Sequence, residues 1–236
     1  MRMDHGKVNA MDLEFCRLFS KHLEELSQSD DCKAVVLTGK DRIFSAGVDL
    51  VRLIGEPVSY LDEFLPELSR CFRTLFEFPK PIVAAINGHA IAGGCILGTA
   101  CDRRLIHPKA RIGLPELRVG VSLPSVAVEI MRFAAAKETF QTMVTVGKNY
   151  RGQEAVDVGL ADEVMELEKL EACAIDAAEA FTAIPANVFA ISKKQMRQPA
   201  LDLIERNEAL FEKQIRALWR TDEIRKEIES YVKNRL

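Results

Sequence analysis

The sequence lacks the motifs that mark a metal centre, a nucleotide-binding loop or a catalytic triad. Its six cysteines form no Cys-x-x-Cys pair, and none of its four histidines lies at zinc-finger spacing, so no metal is expected. There is no Gly-x-Gly-x-x-Gly fingerprint, and Gly39-Lys40 and Gly147-Lys148 lack the rest of a P-loop. No histidine is matched with a nucleophilic serine or cysteine, which argues against triad chemistry.

Long apolar segments and a strong charge of one sign are also missing. Residues 1–7 are polar and no signal-peptide apolar region follows them, while no apolar run is long enough to cross a bilayer. The net charge of −3 arises from interspersed charges, which disfavours nucleic acid as an obligate partner. Most cysteines lie in apolar runs, as buried free thiols do in a reducing compartment. These features predict a soluble cytoplasmic protein with neither a membrane nor a nucleic-acid partner.

The remaining pattern alternates between strands and helices. Hydrophobic residues make up 48% of the 236 positions, enough for one large domain or a domain with an appendage. Asn9 is predicted to cap a first amphipathic helix, with Asp12 in a capping-box relation to it. Ala34–Thr38 and Ile82–Ile86 are short apolar runs typical of buried strands. This alternation indicates an α/β architecture.

From Ser125 onward the pattern is almost wholly helical. The last segment, from Leu201 to Val232, carries an apolar stripe and is heavily charged elsewhere. Such a tail either folds back over the core or packs against another subunit.

Two glycine-containing turns, Phe44–Asp49 and Asn87–Cys95, each follow a predicted strand. In the second, Gly93-Gly94 precedes small residues that suit a tightly packed helix, and glycine allows a ligand to approach the backbone closely. A helix start also presents unpaired N–H groups. Two such turns side by side would place two donors on one oxygen, which is the geometry of an oxyanion hole.

At these residues the sequence resembles the enoyl-CoA hydratase/isomerase, or crotonase, superfamily. The resemblance implies a spiral of ββα turns, with a core domain over residues 1–190 and a C-terminal helical region over residues 191–236 that serves oligomerisation and covers the active site. The family usually begins with a hairpin upstream, which we expect to be missing or cut short here. The matching segments are Gly6–Ala10, Ala34–Thr38, Phe44–Leu50, Pro79–Pro81, Ile86–Gly88, Ala92–Cys95, Cys101-Asp102, Gly113–Glu116, Gly120 and Gly152–Val164.

The resemblance also implies how the substrate is held. The N–H groups of Val48 and Gly93 would bind the thioester carbonyl of an acyl-CoA, and coenzyme A would enter only as part of that substrate, with no permanently bound cofactor. A homotrimer, or a hexamer of paired trimers, is implied as the assembly. The residues expected to contact substrate or coenzyme A are Lys7, Ser45, Ala46, Gly47, Asp49, Leu50, Gly94 and Pro115.

The catalytic carboxylates distinguish the reactions of this family. Its hydratases use two glutamates; the second is present as Glu116, whereas the first falls at Ile96, which cannot transfer a proton. Hydration needs one group to deprotonate water and another to protonate carbon, while a single base can shift a double bond. The pattern therefore favours a Δ3-Δ2-enoyl-CoA isomerase with Glu116 as its acid/base. Apolar neighbours at Ile96 and Leu114 would raise the pKa of Glu116.

Other interpretations stay open. The chain is alternatively a hydratase, or a thioester or β-diketone hydrolase, with a carboxylate not yet placed, or a non-catalytic acyl-CoA-binding scaffold. Ser122 and Ser125 lie just past Glu116, and either is a candidate for contact with substrate or water, although a helix cap is the favoured role of Ser125. A solvated helix face is favoured for Asp62 and Glu63, and a structural hydrogen bond for His89.

Overall fold

The computed structural model describes residues 1–235 of the chain. The strands are β1 (Ala10–Met11), β2 (Val35–Thr38), β3 (Ile43–Ser45), β4 (Gly47–Val48), β5 (Ile82–Ile86), β6 (His89–Ile91), β7 (Arg103–Ile106), β8 (Arg111–Gly113), β9 (Asn149–Arg151) and β10 (Glu163–Val164). The helices are α1 (Leu13–Gln28), α2 (Leu50–Gly55), α3 (Tyr60–Phe76), α4 (Gly93–Thr99), α5 (Glu116–Val119), α6 (Ser125–Ala134), α7 (Lys137–Val146), α8 (Gly152–Asp157), α9 (Leu167–Thr182), α10 (Ala186–Trp219) and α11 (Asp222–Arg235).

The strands form two four-stranded sheets and a short two-stranded one. Their orders are β10-β7-β5-β2, β3-β6-β8-β9 and β1-β4, and every pairing is parallel except β8 with β9. Successive pairs β2/β3, β5/β6 and β7/β8 each give one strand to each large sheet, and a helical segment follows each pair. This is a spiral of ββα turns, so the predicted α/β fold is confirmed.

Strand β5 is buried on both faces and separates two apolar clusters. Ile82, Ala84 and Ile86 belong to the main core, whereas Val83 and Ala85 pack with residues of β7 and α9 in a second cluster. The alternation follows from the two-residue period of a strand. It explains why Ile82–Ile86 reads as a continuous apolar run rather than an alternating one.

The start of α1 differs from the sequence-based expectation. Asp12, not Asn9, is the N-cap, and its Oδ1 accepts a hydrogen bond from the backbone N–H of Phe15 at 2.7 Å. Asn9 lies three residues earlier in the left-handed region with φ 49°, where its Nδ2 donates to the carbonyl of Phe44 at 3.1 Å. The predicted cap was therefore wrong, because Asn9 instead ties the N-terminal segment to the first glycine turn.

The C-terminal helices fold back over the core of the same chain. Helix α10 packs on α6 and α3, and α11 contacts α2 and α5. Because α10 begins at Ala186, the predicted boundary after residue 190 falls inside a helix. No single helix within residues 1–235 has the length and apolar composition for a membrane crossing, although α9 and α10 do as a pair bent by 102°.

A buried ion cluster fastens α10 to the sheet. Asp102 accepts from Lys193 Nζ at 2.7 Å and from Arg197 at 2.8 Å, and both cations are 4% exposed. Burial lowers the pKa of Lys193 to about 8. Since a buried charge without its partner is costly, this carboxylate holds the helical region in place.

Candidate active site

The two glycine turns are in direct contact. Gly47 has φ +84°, and a Cβ added there would lie 2.8 Å from the Ile91 carbonyl oxygen and 3.0 Å from the Gly93 nitrogen. A Cβ on Gly93 would lie 2.7 Å from Met11 Sδ. Gly47 therefore needs glycine, and a side chain at Gly93 would crowd the buried Met11. The approach places Gly47, the residue before Val48, beside the backbone of Gly93.

The second turn opens helix α4 with its first N–H groups toward the cavity. Gly93 is the first helical residue, so no carbonyl of the helix precedes it to accept from its N–H. The N–H groups of Cys95 and Ile96 return to the Ala92 carbonyl instead. Ala92 itself has φ 54° and ψ −124°, a strained conformation of the kind that concentrates at functional sites.

The turns border a cavity of about 660 Å³ that is mostly apolar. Its walls come from strands β1, β3, β4 and β6 and from helices α2, α3, α4 and α5. The segment after α5 and the C-terminal helices complete the lining. The lining residues are Val8, Ala10, Ile43, Ala46, Val48, Asp49, Leu50, Val51, Arg52, Leu68, Phe72, His89, Ile91, Ala92, Gly93, Ile96, Pro115, Glu116, Val119, Val121, Ser122, Leu123, Pro124, Trp219 and Tyr231. A concave apolar space with a few convergent polar groups is the usual form of a small-molecule site.

Glu116 brings a carboxylate to the lining of this cavity. The residue as a whole is only partly buried, but its Oε2 is inaccessible to solvent and has no hydrogen-bond partner within residues 1–235. Burial raises the pKa of Glu116 to about 8, and a hydrogen bond from its own backbone N–H opposes this rise only in part. Ile96, which is 1% exposed, adds to the apolar surroundings. The carboxyl group is thus set to exchange a proton near neutral pH.

The other ionisable groups on the lining are engaged elsewhere. Asp49 caps α2 by accepting from Arg52 N at 2.9 Å, and Arg52 pairs with Asp12, Glu14 and Glu56 at 3.2, 2.9 and 3.4 Å. His89 Nδ1 accepts from the N–H of Arg111 at 3.2 Å. Burial, followed by the charges of Arg111 and Arg151, lowers the pKa of His89. The predicted structural hydrogen bond of His89 is confirmed.

The predicted site residues divide into three groups by position. Seven line the cavity: Ala46, Val48, Asp49, Leu50, Gly93, Pro115 and Glu116. Ser45, Gly47 and Gly94 lie behind the lining, where they shape the turns rather than face the cavity. The Ser45 hydroxyl donates to the Asn9 carbonyl at 2.7 Å and accepts from Gly47 N, and a Cβ on Gly94 would meet the Ser45 carbonyl at 2.3 Å. Lys7 is exposed and off the lining, so its contact with coenzyme A stays a prediction.

The serines near Glu116 differ from each other. Ser122 lines the cavity with a buried hydroxyl that lacks a partner in the described residues, which leaves it available to substrate or water. Ser125 does not cap α6: the cap position is Pro124, and the Ser125 hydroxyl is buried without a partner. The capping expectation was therefore wrong. Asp62 and Glu63 are exposed and pair with Arg220 and Arg17, as expected of a solvated face.

The resemblance implied that the C-terminal region covers the active site, but sequence reasoning did not identify which of its residues line the cavity. Trp219 is 5% exposed and its indole N–H donates to the Ser122 carbonyl at 3.0 Å, and Tyr231 of α11 lies on the same cavity. Both stand about a hundred residues after Glu116 with no local motif around them. The one available signal was that Trp219 is the only tryptophan in the sequence.

Comparison with known proteins identifies the family. The enoyl-CoA hydratase/isomerase family model matches residues 1–236. A mouse protein named enoyl-CoA delta isomerase 1, mitochondrial, is 30% identical over 213 residues, which are 89% of this chain and 74% of the relative. The α/β spiral, the two adjoining glycine turns and Glu116 are thus features of an enzyme of the enoyl-CoA hydratase/isomerase class. The chain is a member of the enoyl-CoA hydratase/isomerase family.

Solved structures agree with this assignment. The crystal structure of human mitochondrial delta3-delta2-enoyl-CoA isomerase matches with a TM-score of 0.91 and 25% identity, over 97% of this chain and 90% of the other. A probable enoyl-CoA hydratase from Mycobacterium tuberculosis matches with a TM-score of 0.83 and 30% identity, over 91% of each chain. The relatives of this chain therefore include proteins named as isomerases and proteins named as hydratases.

Proposed function

We propose that the chain is a Δ3-Δ2-enoyl-CoA isomerase that uses Glu116 as its single acid/base. The observation that carries the proposal is that Glu116, whose Oε2 is buried with no hydrogen-bond partner in residues 1–235, lines the same cavity as the two glycine turns and the apolar Ile96. The isomerase names of the mouse and human relatives support the same reaction.

The reaction follows from what this geometry offers. The ionised Glu116 takes a proton from the α-carbon of a 3-enoyl thioester, and the electron pair moves onto the carbonyl oxygen to form a dienolate. Backbone N–H groups of Val48 and Gly93 stabilise that oxyanion by hydrogen bonds. The protonated Glu116 then returns the proton to the γ-carbon, which leaves the double bond between the α- and β-carbons. No atom is gained or lost overall.

A single base suits this reaction better than hydration. Removal and return of one proton need one group whose pKa lies near the working pH, and burial gives Glu116 a pKa of about 8. Hydration would need a second proton-transfer group, and Ile96 stands at the position where the resemblance places that group in hydratases. Asp49 is committed to capping α2.

The test is an absorbance assay with 3-enoyl-CoA and 2-enoyl-CoA supplied separately. We expect conversion of the 3-enoyl ester only, with a loss of at least about a hundredfold in kcat for Glu116→Gln, as is typical of a removed general base. Loss of the 2-enoyl chromophore instead would indicate a hydratase or hydrolase. Tight binding of both esters without turnover would indicate an acyl-CoA-binding scaffold.

We also propose a homotrimeric assembly built on the outer face of α10. That face exposes several large apolar side chains along the helix. A helix face that stays in contact with solvent is usually polar, so the exposed apolar face favours contact with another subunit. We expect Leu210→Glu to lower the mass in sedimentation from trimer to monomer, whereas Lys169→Glu, on an exposed position of α9 outside that face, keeps the assembly. An unchanged mass for Leu210→Glu would contradict the proposal. The exposed apolar residues are Val188, Ile191, Met196, Leu203, Leu210, Phe211 and Leu218.

A further inference from the structure

A second cavity, open to solvent at the half-exposed Leu117 and Leu218, adjoins one wall of the candidate active site. It measures about 250 Å³ and is lined by Leu117, Gly120, Val121, Ser122, Leu218, Trp219 and Ile224. Three of these residues, Val121, Ser122 and Trp219, also line the 660 Å³ cavity. They form the shared wall between the two spaces.

The indole of Trp219 is the largest side chain in the shared wall. Trp219 is the last residue of α10 and is 5% exposed. Its indole N–H donates a hydrogen bond to the Ser122 carbonyl within the same wall. A single hydrogen bond therefore fixes the ring across the boundary. Removing the ring would join two existing cavities rather than open a new one in close-packed core.

The shared wall belongs to the chain segment that carries Glu116. Glu116 begins α5, and Val121 and Ser122 come two and three residues after that helix ends, whereas the glycine turns that would hold the thioester come from other elements of the cavity. The second cavity is bordered by Leu117, Leu218 and Ile224, so it offers alkyl contacts. Such a space suits a hydrocarbon chain and not the polar pantetheine arm.

We propose that Trp219 is the end wall of the acyl pocket and determines the acyl-chain length that this enzyme accepts. The preferred substrates are esters whose alkyl chain ends against the indole, and the second cavity is space that longer chains reach only when the ring is absent. The inference rests on the proposed function in one respect, since it takes the main cavity as the acyl-CoA site.

The test measures binding of saturated acyl-CoA esters, from butyryl- to stearoyl-CoA, to the full-length protein by titration calorimetry. In the wild type, affinity rises with chain length and stops rising where the chain meets Trp219. In Trp219→Ala, the rise continues to longer chains, by up to about fourfold for each further buried methylene. Tyr231→Ala, which removes a ring that borders only the main cavity, does not move the break point.

Two further variants distinguish a change in the pocket from a folding defect. Trp219→Phe keeps an apolar ring and gives a smaller shift in the same direction, and Trp219→Ala/Ile224→Phe refills the second cavity and restores the wild-type break point. Since Trp219 is the only tryptophan, its fluorescence emission changes when a chain reaches it.

Each possible outcome tests the role of Trp219, the isomerase proposal, or both. An unshifted break point in folded Trp219→Ala and Trp219→Phe would overturn the role of Trp219, whatever the enzyme activity. A shifted break point in a protein that does not convert 3-enoyl-CoA would defeat the isomerase proposal and leave Trp219 as the end wall. Failure of every ester to bind the wild type would overturn both.

Discussion

Replacing Glu116 by glutamine is expected to stabilise the protein while it removes the activity. The folded pKa is raised from 4.5 to about 8 because the carboxyl group is desolvated. Between these two values the folded chain keeps a proton that the unfolded chain has lost, so wild-type stability falls as pH rises through this window. Glutamine has the shape of the protonated acid and cannot ionise, so Glu116→Gln escapes that loss.

The size of the effect follows from the two pKa values. Linkage gives a free-energy advantage for Glu116→Gln of about 1 kcal/mol at pH 5.5 and about 3 kcal/mol at pH 7, relative to conditions where the acid is fully protonated. Solvent near the partly buried residue screens the charge and makes these figures upper values. The advantage therefore grows by up to about 2 kcal/mol between the two pH values.

Urea denaturation at several pH values, with protein concentration held constant, measures this growth. The control is Glu168→Gln, whose carboxylate is exposed on α9 and forms no ion pair in residues 1–235. We expect the stability difference from wild type to widen with pH for Glu116→Gln and to stay level for Glu168→Gln. Parallel pH curves for wild type and Glu116→Gln would refute the desolvation of this carboxylate, and with it the argument for its raised pKa.

Three further predictions test other parts of the site. For the reaction of 3-enoyl-CoA, kcat/KM should rise with pH and level off above about 8, because the base acts ionised; a profile flat from pH 6 to 9 would contradict this. Gly47→Ala should lower kcat about a hundredfold by displacing an oxyanion donor. Gly159→Ala has a similar φ of +79° with open space around its Cβ, so it should cost about 1 kcal/mol of stability and keep activity; equal kinetics for both would refute the contact argument. Asp102→Ala should lower the free energy of unfolding by about 3–5 kcal/mol, because it strands the buried Lys193; a loss within error would show that this charge finds another partner.

The sequence predicted those features that local chemistry determines. The strands around Ala84 and the glycines of both turns follow from apolar runs and from backbone approach, and each is where the pattern placed it. The first cap was misassigned because Asn9 and Asp12 are both good cap residues, and only the position of the Phe44 carbonyl decides between them. Local patterns cannot supply such tertiary partners.

The contribution of Trp219 and Tyr231 was unpredictable for a related reason. Their position depends on where α10 ends relative to the cavity, and that is determined by the buried Asp102 cluster near the other end of the helix. A long amphipathic helix has the same sequence signature whether it covers its own core or a neighbouring subunit. The sequence therefore left both arrangements open.

The C-terminal helices and the catalytic carboxylate depend on each other energetically. The pKa of Glu116 is raised by burial alone, and part of the cavity wall around it belongs to α10 and α11. Those helices are held by Asp102 at one end and, at the other, by Arg225, which donates to the carbonyls of Ile54 and Glu56. Any change that loosens the helices admits water to the cavity, lowers the pKa of Glu116 toward that of a solvated carboxylate, and weakens the base. The proton transfer proposed for Glu116 therefore depends on the helical region, although none of its residues is proposed to exchange a proton with the substrate.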